Sequence, residues 1–438
     1  MSELRRALQW SPDALFTTVC MVLLVAVVLF VRLALGMEFP IPWNDETAFI
    51  SQAFEFSRTG SFYVYGLNSE RVVMWMPPGY MLLLAGVYKV FGYSFDVSRW
   101  VSCLLYLGSA GVGLALVQGY LQGWRRKVAL LLMLLAFLSP YSLAISNVAR
   151  MEGLYTLICL LSLFAALRGK YALGLALVLL AGTVHYNAVY FLLPYAAWVA
   201  WKILNRESLM VGPGELLALI IAALALAGYG LFVIKHIDGF WQDMQFQFDF
   251  KLGWPVMGGR EGWTLLLALL AIPCLQLLAH RRFGSEVLLS LYGVAFIAVI
   301  LNGHSMWYYF AFNIGFWLLL LGVLASSAAL TKGWQQALCI AIGVGLFYQL
   351  GYYTNRSTNE FDPLKPSMSM LSRDFLPAEE INKVRQFIAT LPPKSTVSFG
   401  FSGVEPYFFA DFAKADALWT GSAHNVIQVF PPRTVDYR

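Results

Sequence analysis

Charge is what this chain most lacks. Only 13% of its 438 residues are charged, against about 25% in an ordinary soluble domain. That scarcity excludes a soluble globular protein. The apolar share, 59%, gathers in long runs, so the fold class expected is a polytopic α-helical membrane protein. A strong excess of one sign is also missing. The formal net charge is +5, and the basic residues fall in short loops between apolar runs. That is the pattern of cytoplasmic loops, not a nucleic-acid footprint, and no nucleic-acid partner is expected. Cysteines are few: Cys20, Cys103, Cys159, Cys274 and Cys339 all lie inside apolar runs and have no metal-ligand spacing. There is no internal repeat, no low-complexity tract and no Gly-rich nucleotide loop. Gly111-Val112-Gly113 lies inside an apolar run and reads as helix packing. The first apolar run lacks a small-residue cleavage site, so it is expected to remain as an anchor.

The runs themselves set a topology. Arg5 and Arg6 place the N-terminus in the cytoplasm, and Leu15 to Leu35 crosses the membrane. The first external loop is 37–96. Within it Ala48 to Arg58 has the spacing of an amphipathic helix, with Asn44 or Asp45 at its N-cap. Tyr80 to Phe91 is too short to cross and is expected as a surface or half-embedded helix. Val97 to Gln118 returns to the basic loop Arg125-Arg126-Lys127. The runs Val128 to Ile145, Gly153 to Leu167, Tyr171 to Val184, Val189 to Ile203, Leu216 to Ile234, Thr264 to Leu278, Val287 to Leu301, Trp307 to Ser326 and Trp334 to Tyr352 then alternate. A long external loop, His236 to Trp263, interrupts them. The expectation is about eleven spans in a region 1–353, followed by a small external α/β domain at 354–438. In that tail, Ala378 to Leu391 reads as a helix and Thr396 to Phe401 as a strand. The protein is expected in the inner (plasma) membrane, N-terminus cytoplasmic and C-terminus periplasmic.

Sorted by side, the chemistry-bearing residues collect on the outer face. Asp45 and Glu46 are adjacent acids just beyond a span, where carboxylates are costly to keep. Asp45 reads either as a helix cap or as a base, and both acids are expected to face a cavity. Arg150 and Glu152 read either as a local ion pair at a helix start or as site residues. His185 sits in the turn His185-Tyr186-Asn187 between two spans; it and His304 are either solvated turn residues or ligands for a phosphate. Trp307, Tyr308 and Tyr309 suit an aromatic belt. His236, Asp238 and Asp243 have a spacing that fits a solvated loop better than a metal site. Carboxylates beside cations suit a reaction with one deprotonated acceptor and one anionic leaving group.

Several of these stretches resemble a known family. Asp45-Glu46-Thr47-Ala48-Phe49, Arg58-Thr59-Gly60 and Pro77-Pro78-Gly79-Tyr80 through Phe91-Gly92 resemble the opening of the GT-C glycosyltransferases. The group most similar is the family 39 protein mannosyltransferases and aminoarabinose-transferase-like enzymes. Ala149-Arg150-Met151-Glu152-Gly153-Leu154 resembles that group's second acidic loop, Thr183-Val184-His185-Tyr186-Asn187-Ala188 its His-Tyr turn, and Trp307-Tyr308-Tyr309-Phe310 the start of a late span. The resemblance implies a sugar transferred from a polyprenyl-phosphate donor to a glycan, lipid or protein acceptor on the periplasmic side. It implies Asp45, Glu46 and Glu152 as the catalytic acids, Glu152 orienting the acceptor or helping to hold a divalent cation (Mg, Mn or Zn). Arg58, Lys89, Arg150, His185, Tyr186, Asn187, His304 and Tyr308 are the expected substrate and phosphate ligands. No Arg follows Asp45-Glu46 closely and no Lys stands at the His185 turn, both departures from the aminoarabinose-transferase pattern. A flippase of a lipid-linked substrate and a wall-polymer polymerase using diphosphate donors are the competing functions. The outer-loop acids and the missing repeat favour the transferase over a transporter.

Overall fold

The computed structural model describes residues 12–35, 44–64, 67–68, 70–208, 210–252, 260–299 and 306–329, with short pieces of the tail at 386, 390, 396–399, 416–417 and 427–430. Among these residues the chain is helical down to 329. Helix α1 (Pro12–Phe30) continues as a π-helical turn, Val31–Leu35. Next come α2 (Asn44–Thr59), α3 (Gly79–Phe91), α4 (Phe95–Tyr120), α5 (Gly123–Leu138), α6 (Pro140–Ser146), α7 (Glu152–Leu167) and α8 (Tyr171–Gly182). A 3-10 turn (Tyr186–Phe191) leads into α9 (Leu192–Leu204). Then follow α10 (Pro213–Lys235), α11 (Ile237–Leu252), α12 (Arg260–His280), α13 (Ser285–Ala298) and α14 (Met306–Ala329). In the tail, β1 (Thr396–Phe399) pairs in parallel with β2 (Asp416–Ala417) and antiparallel with β3 (Ile427–Phe430).

Among the described residues, four stretches are long and apolar enough to cross a membrane: Asp13–Ala34, Phe95–Tyr120, Pro213–Lys235 and Phe310–Ser327. Shorter apolar helices fill the spaces between them. The architecture is that of a multi-pass helical membrane protein. Its two ends are distinguishable from ion pairs alone. Asp13, at the start of α1, pairs with Lys127, at the start of α5. At the other end of α1, Arg32 donates to Asp96 and Asn147. The basic loops at 123–127 and the start of α1 therefore share one end, and the polar turns share the other. Helix α3 packs on α4 through Tyr80 and Tyr88, whose hydroxyls meet those of Ser102 and Ser98.

The differences from the sequence reading have local causes. Asn44 and Asp45 lie inside the first turn of α2, not before it. The expected span Val128 to Ile145 is two helices, because Ser139 caps α6 and Pro140 occupies its first turn. Val189 to Ile203 starts as a 3-10 turn, with His185 accepting from the Asn187 N–H at its head. The loop expected over His236 to Trp263 holds α11 as far as Leu252. Trp334 to Tyr352 and most of Ala378 to Leu391 lie outside the described residues; of the expected strand Thr396 to Phe401, the described part, Thr396–Phe399, is a strand.

The main core runs through the bundle from Leu24 and Val28 of α1, by Tyr106 and Met133, to Phe296 and Trp317. Helices α13 and α14 make their closest approach at two glycines. A Cβ on Gly293 would lie 2.7 Å from the Gly315 carbonyl oxygen, and one on Gly315 would lie 2.6 Å from that of Gly293. Small residues at such a seam let two helix backbones touch.

Candidate active site

Three chain segments meet at the polar end: the start of α2, the start of α4, and the turn between α6 and α7. Glu46 joins all three. Its carboxylate accepts two hydrogen bonds from Arg99 on α4, from Nε and from Nη2, both at 2.9 Å. It also accepts from the backbone N–H of Ala149 at 2.7 Å. Both Glu46 and Arg99 side chains are 0% exposed. The expectation that Glu46 faces a cavity is corrected: a fork of two charge-assisted bonds occupies it. It fixes where the 147–152 turn sits relative to α2.

That turn carries the next pair. The Arg150 guanidinium donates to Glu152, through Nη2 at 2.8 Å and Nε at 3.2 Å, and both side chains are buried. Its Cζ lies 5.7 Å from the centroid of Phe49, one turn along α2 from Glu46. Glu152 opens α7, where a carboxylate is favoured by the helix dipole. The local ion pair is thus the one formed, and it is inward-facing.

Tyr80 is near enough to both acids to feel their charge. Its hydroxyl is hydrogen-bonded to Ser102 Oγ at 3.1 Å. Burial pushes its phenol well above the usual range, and the nearby charges of Glu46 and Glu152 push the same way. Tyr88, two turns further along α3, bonds Ser98 Oγ. The Pro77-Pro78-Gly79 corner docks on the His185 turn through Gly79 N–H to Thr183 O, at 2.7 Å. A Cβ at Gly79 would lie 2.6 Å from that oxygen, so only glycine fits.

His185 is buried, and its Nδ1 accepts from the Asn187 N–H at 3.0 Å. A nitrogen that accepts carries no proton, so the ring is neutral with its proton on Nε2. Its ring lies 5.3 Å from that of Tyr155, whose hydroxyl donates to the Asn187 carbonyl. Tyr186 pairs its hydroxyl with Tyr229 of α10 at 2.7 Å; burial and the Tyr229 hydroxyl push its phenol upward.

Other expected ligands are elsewhere. Arg58 ends α2, is exposed, and meets Glu55 and the Phe54 ring. At 1.5 Å per residue it is about 18 Å along α2 from Glu46. Lys89 is exposed near the end of α3, about 15 Å from Gly79. Asp45 lies in the first turn of α2 and Tyr308 in the first turn of α14, with both side chains outside the described residues, as is the whole of His304.

One arginine of this end, Arg32, went unremarked in the sequence reading, and Arg99, one of its outer-face polar residues, was given no partner. Arg32 shows the signal that would have found it, a cation inside an apolar run. Arg99 sits near the start of one. The ion pair at Asp243 was missed as well. Asp243 accepts from Arg71 Nη1 and Nη2, at 2.8 and 2.7 Å, and from Met74 N–H. This bond to Asp243 is the main reason the Arg71 guanidinium is raised above its ordinary range. Asp243 is buried, not a solvated loop residue. Among the described residues no three His, Cys, Asp or Glu side chains converge on one point. Glu46 and Glu152, the acids a divalent ion would need, are each held by an arginine, so these residues do not fit a metal centre.

No family model matches the chain, and neither does any curated protein sequence. The fold nevertheless matches solved structures. ArnT from Cupriavidus metallidurans bound to undecaprenyl phosphate superposes with a TM-score of 0.55 at 14% identity, over 92% of this chain and 86% of that one. ArnT in the apo state gives a TM-score of 0.50 over the same shares. The expected likeness to the aminoarabinose-transferase-like group thus holds at the level of the fold.

Proposed function

We propose that the protein is a membrane glycosyltransferase that moves a sugar from a polyprenyl-phosphate to an acceptor hydroxyl at the end where Glu46, Arg150 and His185 meet. The observation that supports it most is the joining of α2 to the 147–152 turn through Glu46. It sets Glu46 of α2 beside the turn that carries Arg150 and Glu152, over a hundred residues away in the chain, which supports reading the two motifs as one site. The ArnT structure of the same fold holds undecaprenyl phosphate, which supports a lipid of that class as the donor carrier.

The roles divide by geometry. Glu46 is saturated by Arg99 and Ala149, so it positions and does not react. Asp45 is the base. It takes the proton of the acceptor hydroxyl as that oxygen attacks the anomeric carbon. The bond from that carbon to the phosphate oxygen breaks, and the lipid phosphate leaves with the electron pair. Glu152 orients the Arg150 guanidinium, whose charge, with the N-terminal end of α7, steadies the departing anion. The Nε2–H of His185 adds a neutral donor. One displacement inverts the anomeric centre; retention would need a carboxylate nucleophile beside it. Proteoliposomes carrying polyprenyl-phosphate-sugar test the reading. Product with inverted configuration supports it. Transport of the lipid without bond cleavage, or activity only with diphosphate donors, overturns it.

A further inference from the structure

Helix α11 begins two residues after the span α10 ends, and the α10 face leading into it is apolar and exposed through Leu231 and Ile234. The faces of α11 are sharply different. Gly239 and Asp243 are buried, against Arg71 and Met74 of the first polar loop. Asp238, Gln242 and Gln245 are exposed and form a polar strip. Between that strip and the docked face stand Ile237, 50% exposed, and Trp241, 67% exposed. Phe246, 56% exposed, lies on the other flank of the strip.

A large apolar pair left in water one turn beyond a span costs free energy. Tryptophan in particular collects at the headgroup level, where its ring is apolar and its N–H is wet. Ile237 and Trp241 follow closely in the chain on Leu231 and Ile234, the exposed apolar residues that end α10, and one apolar environment would account for all four. We propose that α11 is a membrane-interface helix. Ile237 and Trp241 rest among the lipid headgroups at the polar end of the bundle, and Asp243 on another face holds the 70–74 segment through Arg71 and Met74. The partner is the bilayer surface itself. Its contact with α11 fixes the height of that segment, and so of the Gly79 corner that follows it, relative to the membrane.

Site-directed spin labelling in phosphatidylcholine nanodiscs tests this without any turnover, so its outcome is separate from that of the proposed reaction. Single cysteines at Ile237, Asp238, Trp241, Gln242 and Gln245 carry the label. The background has Cys274 and Cys339 replaced by serine; Cys20, Cys103 and Cys159 are buried. Each labelled protein is compared with its background in melting temperature, and the five positions let the pattern survive the loss of one variant. Labels at 237 and 241 should collide preferentially with oxygen, and labels at 238, 242 and 245 with a water-soluble nickel chelate. Nickel access at all positions, as for a helix standing clear in water, overturns the proposal. So does oxygen preference at all positions, as for a fully embedded helix.

Discussion

Glu46→Gln is the most informative single change. It leaves the Arg99 cation fully buried, with a neutral amide where a carboxylate stood. Breaking a buried ion pair by removing one partner costs about 3–5 kcal/mol, because the remaining charge stays desolvated. The Gln carbonyl still accepts from Ala149 N–H and from one Arg99 nitrogen, and a retained hydrogen bond is worth about 1 kcal/mol. The expected loss for Glu46→Gln is therefore near the lower end, about 3 kcal/mol. Arg99→Met strands the carboxylate instead and should cost about 3–5 kcal/mol. The double variant removes both charges, so its cost should fall well below the sum of the two. Reversible denaturant unfolding in mild detergent reads all three stabilities. Additive losses, or a cost below about 1 kcal/mol for Glu46→Gln, would refute the buried fork. Turnover of the double variant then separates positioning from chemistry. A positioning Glu46 predicts that activity recovers alongside stability, whereas a reacting Glu46 predicts a folded, inactive protein.

Asp45→Asn should lower turnover by about 10²–10⁴-fold, the usual worth of a general base, with the melting temperature held; a near-normal rate removes Asp45 from the mechanism. His185→Asn keeps a side-chain oxygen that can cap the Asn187 N–H and removes the imidazole donor. It should fold normally and turn over more slowly, and wild-type turnover would leave His185 a cap only. Gly79→Ala drives a methyl into Thr183 O and should cost about 1–3 kcal/mol in the same unfolding assay; a neutral result would contradict the docked corner. Asp243→Asn should expose the 60–78 segment to limited proteolysis, and an unchanged digestion pattern would show that Arg71 and Met74 are held by other means.

The helices were legible because they are apolar in long runs, and hydropathy reports burial in lipid directly. The breaks within them were less so. Pro140 is visible in the sequence, yet the apolar run passes straight over it, so periodicity alone joined α5 to α6. Helix α11 was hidden for the opposite reason. Its polar strip dilutes the hydropathy, and its docked face depends on Asp243, a residue that reads as solvated until Arg71 is brought beside it. The site shows the same division. Asp45-Glu46 and Arg150-Met151-Glu152 stand out as short motifs, and adjacency in the sequence suggested that they act together. What the sequence does not carry is the partner of each charge. Arg99 is 53 residues from Glu46, and no local spacing links them.

That pairing bears on the chemistry. Two adjacent carboxylates at a membrane surface suggest two reactive acids. Consecutive residues on a helix point about 100° apart, so two neighbours of like type do not share one environment. Here one of them, Glu46, is closed in by the Arg99 guanidinium and the Ala149 N–H. Arg150 holds Glu152 in the same way. Both forks spend an acid to fix an element in place, Glu46 the 147–152 turn and Glu152 the guanidinium beside it. Of the three acids that the sequence offers, two are therefore parts of the frame, which leaves Asp45 as the base of the proposed reaction, the assignment that Asp45→Asn tests.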